Sequence, residues 1–339
     1  MSQKQALLSV EDLKVYFPVS SKSAWPWSPP QMLRAVDGVS FDIFPGETVG
    51  VVGESGCGKS TLARALLNLV PATAGSVRWR GKEMHGASRD EWQTLRKSVQ
   101  MIFQDPLASL NPRMTIGQII AEPLRTHYPA LSSADVMRSV RAMMAKVGLT
   151  PSQIDRYPHE FSGGQCQRIG IARALVLAPE LVICDEPVSA LDVSIQAQII
   201  NLLKDLQSEM GLALVFIAHD LAVVKHISHR IMVMYLGRAA ELADKQALYS
   251  NPCHPYTQAL LRAIPSPDPR LERRKTVQIL QGDLPSPIHP PSGCSFRTRC
   301  PKAIAACAQH RPELRVLTPQ TKVACDLVDG PVGVRPGSN

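Results

Sequence analysis

"GESGCGKST", residues 53 to 61, is the stretch on which the fold turns. It fits G-x-x-x-x-G-K-[ST], with Gly53, Gly58, Lys59 and Ser60 at the fixed places. Glycines let such a loop wrap tightly and turn its backbone N–H groups inward. The helix that follows presents its positive end to an anion. Across this cradle Glu54, Ser55, Gly56, Cys57 and Thr61 border the phosphates. Lys59 reaches the β- and γ-phosphates, and the Ser60 hydroxyl ligates Mg²⁺. The flanks supply the context: "ETVGVVG" reads as a strand running in, and "STLARALLNLV" as an apolar-periodic helix running out.

A phosphate loop needs a metal-holding carboxylate on a neighbouring strand. "LVICDEP" offers four apolar residues and then Asp185 and Glu186, at the strand end where α/β ligands bind. Asp185 suits a metal-bound water, and Glu186 is placed to polarise the attacking water as general base. A third element, "FSGGQCQRIGIARAL", sets Ser162, Gly163, Gly164 and Gln165 at a helix start, another anion site. Two such sites do not easily fold onto one nucleotide within one chain. Two chains packed head to tail achieve it, each lending its second site to the other.

The remainder of the chain bounds the class. Its 339 residues are 45% apolar and 19% charged, ordinary for a globular protein, with no run of eighteen apolar residues. No charged-then-apolar signal opens it, so a cytosolic setting is expected. The net charge of +8 comes without basic–aromatic alternation, and no nucleic-acid partner is expected. "LLSVEDLKVYF" alternates as an edge strand does, and "PVSSKSAWPWSPPQ" reads as a surface loop. "SSADVMRSVRAMMAKVGL" is a helix capped by Ser132 or Ser133 and ended by Gly148, with Met143 and Met144 as core filling. Strands alternating with helices up to about residue 255 predict a mostly parallel α/β sheet, a P-loop nucleotide-binding domain over 1–255 with a helical subdomain near 105–178. Residues 256–339 form a Pro- and Cys-rich C-terminal extension.

Over about residues 7 to 255 the chain resembles the ATP-binding-cassette family. The phosphate loop, "FQDP", "FSGGQ", "LVICDE", "SALD" and "IAHD" stand in the family's order. The resemblance implies ATP and Mg²⁺ as ligands. Gln104 would touch Mg²⁺ beside Ser60 and Asp185, and it would sense a membrane partner. Ser162 to Gln165 would close over the opposing nucleotide, Asp192 would link the two sites, and His219 would hold the γ-phosphate. Phe17 aligns with the aromatic that stacks on adenine, with Tyr16 the lesser candidate.

Half of the eight cysteines remain: Cys294, Cys300, Cys307 and Cys325, spaced C-x5-C-x6-C-x17-C in a Pro-rich segment of little apolar content. In a reducing compartment a disulfide framework is not expected, and such a tail gains from a metal clamp. By spacing alone Zn²⁺ and an iron–sulfur cluster both stay open. The other four cysteines, among them Cys57, Cys166 and Cys184, read as small fillers. "NPCHPYTQALLRAIP" and "LPSPIHPPSGCSFRTRC" resemble the tails of ATPase subunits of bacterial oligopeptide and dipeptide permeases, with His254 a buttress for the start of the tail. This resemblance implies a [4Fe–4S] cluster on the four tail cysteines. It also implies two transmembrane permease subunits, a second, related ATPase forming a heterodimer, an extracytoplasmic peptide-binding protein, and a peripheral place on the cytoplasmic face of the inner membrane. Soluble cassettes acting on ribosomes or DNA fit less well: there is one phosphate loop, and the roughly 125 residues between Lys59 and Asp185 hold no sustained heptads.

Overall fold

A computed structural model describes residues 5–19, 30–264 and 282–328. The chain divides into two compact units that interleave along the sequence. Met1–Ser9, Asp42–Val49 and Ser76–His219 make the first, and Val10–Phe41, Gly50–Gly75 and Asp220–Asn339 the second.

The first unit carries a parallel ladder. Val99–Ile102 pairs with Leu181–Asp185, which pairs with Ala213–Ala218. Every residue of the latter two strands is buried, the condition that produces continuous apolar runs such as "LVIC" and "ALVFIA" rather than alternation. Three helices, Ile116–His127, Ser133–Lys146 and Gly163–Leu175, pack on one another in the same unit. Each start is encoded locally. Thr115 and Gln118 form a capping box, Ser132 accepts the Asp135 N–H, and Ser162 pairs reciprocally with Gln165. Met143 and Met144 are buried in that packing, as read from the sequence.

The second unit is built around antiparallel strands. Arg230–Tyr235 and Arg238–Asp244 form a hairpin turned through Leu236 and Gly237, both at positive φ. Onto this hairpin the C-terminal segment adds two strands. Thr321–Val323 pairs with Glu241–Ala243, and Arg315–Thr318 pairs with Thr321–Val323. Leu317, Val323 and Cys325 form a small buried cluster, against which Cys253 and Val328 pack. The tail therefore has ladder hydrogen bonds and an apolar patch of its own. Burying each of its two aliphatic side chains contributes roughly 1.5–3 kcal/mol.

Two local expectations change. Leu8–Val19 is not an edge strand: Gln31–Ile43 flanks it on one side, and the Thr73 N–H donates to Lys14 O on the other. Alternation marks one solvated face, which interior strands of a half-covered sheet share. The helix after the phosphate loop ends at Leu66 instead of near Val70, as Asn68 turns left-handed ahead of Pro71. The Pro/Ser/Trp-rich insert lies, over residues 20–29, outside the described residues. Among the described residues no helix is long and apolar enough to cross a membrane.

Candidate functional site

The buried strand Thr48–Val52 delivers the chain to Gly53 in the second unit, and the helix Lys59–Leu66 leaves it. Gly58, the N-cap, has φ 102°, and a Cβ there would lie 1.9 Å from Ala35 O. Only glycine fits that turn. Lys59 is 4% exposed, and its Nζ donates to Gly53 O (2.9 Å) and Glu54 O (3.1 Å), so the ammonium sits inside the curl of the loop. Ser55 and Gly56 are exposed at the crest, while Ser60 and Thr61 are half-buried on the first turn. Cys57 is buried, and that burial raises its thiol pKa, which suits the filler role expected of it.

Two contacts of this loop were not read from the sequence. The Glu54 N–H donates to Tyr256 Oη (3.0 Å), and the Glu54 carboxylate pairs with Arg299 at 2.8 Å. Of the two aromatic candidates for adenine, Tyr16 is already engaged. Its hydroxyl donates to Asp37, and burial together with that bond pushes its pKa up to about 12. Phe17 is 36% exposed.

The first unit gathers a second set of functional side chains. Asp185, 2% exposed, ends its strand, and Glu186 follows at φ 47°, a left-handed conformation costly for a non-glycine residue and concentrated at functional sites. The turn is held by the Glu186 N–H donating to Ile217 O (3.1 Å) and by the Ser189 hydroxyl donating to Glu186 O. Its side chain is met from two other strand ends. Gln104 Nε2 donates to Glu186 Oε2 (3.1 Å), and His219 Nδ1 lies 3.8 Å from the same oxygen. Three residues expected to act together thus converge, although 82 residues separate the first pair.

In the same unit the tip of helix Gly163–Leu175 is exposed at Ser162 and Gly163, with Gly164 and Gln165 half-buried. Gly164 comes close to the helix Val193–Met210: a Cβ there would stand 2.6 Å from Ile195 Cγ2. Asp192, the N-cap of that helix, is exposed.

The four tail cysteines line one small cavity together with Phe296, Ile304, His310 and Leu327. Burial raises the pKa of Cys294, Cys300 and Cys325, and Cys294 also feels the other three thiols. Four thiols on one cavity is as far as the geometry goes. Among the described residues no group of three or more His, Cys, Asp or Glu is arranged to hold a metal ion. His254 does buttress this region. It is buried, its ring lies 5.7 Å from that of Phe296, its Nδ1 caps helix Pro255–Ala263, and burial lowers its pKa to about 4.

Comparison with known proteins gives the family. The profile of the ABC transporter family matches residues 36–189, and that of the oligopeptide/dipeptide transporter C-terminal region matches residues 240–307. The oligopeptide transport ATP-binding protein OppF of Salmonella typhimurium is 66% identical over 314 residues, covering 93% of this chain and 94% of that one. The putative oligopeptide transport ATP-binding protein YkfD of Bacillus subtilis is 54% identical, covering 95% of each. Among solved structures, the dimeric post-hydrolysis state of the ATP-binding cassette MJ0796 bound to ADP and Pi matches with a TM-score of 0.62 and 26% identity. It covers 70% of this chain and 98% of that one. The chain has the ABC-type P-loop fold and belongs to the ABC transporter family, in its oligopeptide/dipeptide transporter branch.

Proposed function

We propose that this chain binds and hydrolyses ATP to energise an importer of oligopeptides, working as one half of a head-to-tail cassette pair beneath two transmembrane permease subunits. The observation that carries the catalytic part is the convergence of Gln104 and His219 on Glu186. The peptide specificity of the complex rests on the 66% identity to an oligopeptide transport ATP-binding protein and on the match of the C-terminal region. An extracytoplasmic peptide-binding protein and a second, related ATPase complete the proposed assembly. This chain lies at the cytoplasmic face of the inner membrane, with residues 1–255 as nucleotide-binding domain and 256–339 as extension.

The chain's own groups divide the chemistry. Phe17 stacks on the adenine. The loop Gly53–Thr61 cradles the phosphates, with Lys59 neutralising charge as it builds on the γ-phosphoryl oxygens. Ser60, Asp185 and Gln104 would hold Mg²⁺, which would neutralise charge on the phosphates. Glu186 takes the proton of the attacking water, while His219 fixes the γ-phosphate and so aligns the in-line attack. The tip Ser162–Gln165 offers helix N–H groups to the nucleotide of the facing cassette, and Asp192 links the two. Reconstitution with the permease pair and binding protein in vesicles tests this: ATP-driven peptide uptake is expected. ATP hydrolysis that no peptide-loaded binding protein stimulates would overturn the importer assignment.

The tail cysteines are proposed to hold a [4Fe–4S] cluster. What supports this reading is that the four thiols line one cavity and that four thiolates suit such a cluster; Zn²⁺, which takes the same four ligands, is the alternative. When bound, the group supplies a cross-link to a segment with little core. Anaerobic purification should give about four iron and four sulfide per chain, and stoichiometric zinc without iron would refute the cluster.

A further inference from the structure

The second residue of the phosphate loop is an acid, in a place built to attract an anion. Glu54 is 25% exposed, and a carboxylate on a phosphate-binding loop opposes the anion it is to hold. The structure shows what offsets it. Arg299, 9% exposed, donates from Nη1 to Glu54 Oε2 at 2.8 Å, and its guanidinium carbon lies 6.0 Å from the centroid of the Tyr235 ring. The guanidinium is held between Glu54 and that ring. The backbone of the same residue is tied down by Tyr256 Oη, and the Tyr256 ring packs 4.8 Å from Tyr235 and 5.4 Å from Phe296.

Phe296 and Arg299 belong to one short segment, "CSFRTRC", bracketed by Cys294 and Cys300. Phe296, 2% exposed, is the plug: its ring also meets those of Tyr235 and His254. Arg299, three residues on, is the arm that reaches the loop. The segment is pinned further by the Cys294 N–H donating to Cys307 O (2.8 Å). All of these contacts lie within one compact unit.

We propose that Arg299 is a positioning residue for ATP binding: it neutralises Glu54 and fixes the front of the phosphate loop, so that the cysteine-bracketed tail segment sets the nucleotide affinity of the cassette. The proposal rests on the reading of Gly53–Thr61 as the ATP cradle. It adds a role for the tail beyond the cysteines themselves.

The test is ATP affinity and steady-state kinetics of the assembled transporter. Arg299→Ala should raise the Kd and KM for ATP roughly tenfold, about 1.4 kcal/mol, with kcat within about twofold. Arg299→Lys, which keeps the charge but loses the planar fork, should fall between. In Arg299→Ala/Glu54→Gln the unneutralised charge is gone, and at least half of the lost affinity should return. A merely structural arginine would show no such rescue. Arg297→Ala, whose side chain donates to Ser292 O and Oγ, should leave affinity unchanged. Unchanged ATP affinity in Arg299→Ala, or a double variant as weak as the single, overturns the proposal. Should Arg299→Ala fail to assemble, the pair Arg299→Lys and Arg299→Lys/Glu54→Gln decides by the same criterion. A wild-type complex that binds no ATP would instead refute the cradle reading.

Discussion

Replacing Glu186 by Gln removes a base and little else. The amide has the same shape, so it takes the left-handed turn at φ 47° with the strain unchanged, and the Glu186 N–H to Ile217 O bond stays. Gln104 Nε2 keeps an acceptor in the new amide oxygen, at the loss of charge assistance, about 1 kcal/mol or less for this exposed donor. Against that small change stands the lost proton acceptor. General-base catalysis is worth about 10²- to 10⁴-fold, or roughly 2.7–5.4 kcal/mol of barrier. Turnover of Glu186→Gln should fall by at least two decades while ATP affinity stays within about threefold. The assay pairs phosphate release with retention of labelled nucleotide: the variant should hold ATP, unhydrolysed, in a paired state. A turnover within threefold of wild type would remove Glu186 from its proposed role.

Gly58→Ala should cripple nucleotide binding, since a left-handed φ of 102° costs a side chain about 1–3 kcal/mol and its Cβ would meet Ala35 O. ATP titration should show at least a tenfold loss, and normal affinity would contradict the described loop. His254, neutral down to pH about 4 when folded, takes up a proton near its ordinary 6.5 when unfolded. The unfolded state thus binds more protons between these values. This contribution is full above about pH 6.5 and is lost as pH falls toward 4, to a limit of roughly 3 kcal/mol. In His254→Asn, which retains an acceptor for the Tyr256 N–H, denaturant midpoints should fall less steeply over that window. Equal slopes would place the acid sensitivity elsewhere.

What could be read from the sequence follows the range of the interaction. The phosphate loop and the Ser162–Gln165 tip were legible because each is built from neighbours: glycines at set positions, a cap and its box within four residues. Gln104, Glu186 and His219 were legible as a set only through motif order. Their meeting at one carboxylate oxygen depends on the register of three parallel strands, which no local pattern states. The Arg299–Glu54 pair lay beyond reach, because 245 residues separate the partners and "FRTRC" carries no signal for the loop it meets. The tail has little apolar content in its sequence, and its added strands carry no legible pattern there. Arg315–Thr318 and Thr321–Val323 are too short to alternate convincingly and gain their order by pairing with Arg238–Asp244.

A nucleotide shared between facing cassettes can be probed at the helix tip alone. Gly163 is exposed at the first helical position, and a Cβ there finds only Leu191 Cδ2, at an ordinary 3.5 Å. Aspartate is favourable in the first turn of a helix, so Gly163→Asp should fold normally while setting a negative charge where the neighbour's γ-phosphate must dock. With every cassette of the transporter so altered, ATP should bind to each phosphate loop as before and hydrolysis should drop at least a hundredfold. Hydrolysis at the wild-type rate would contradict the shared site.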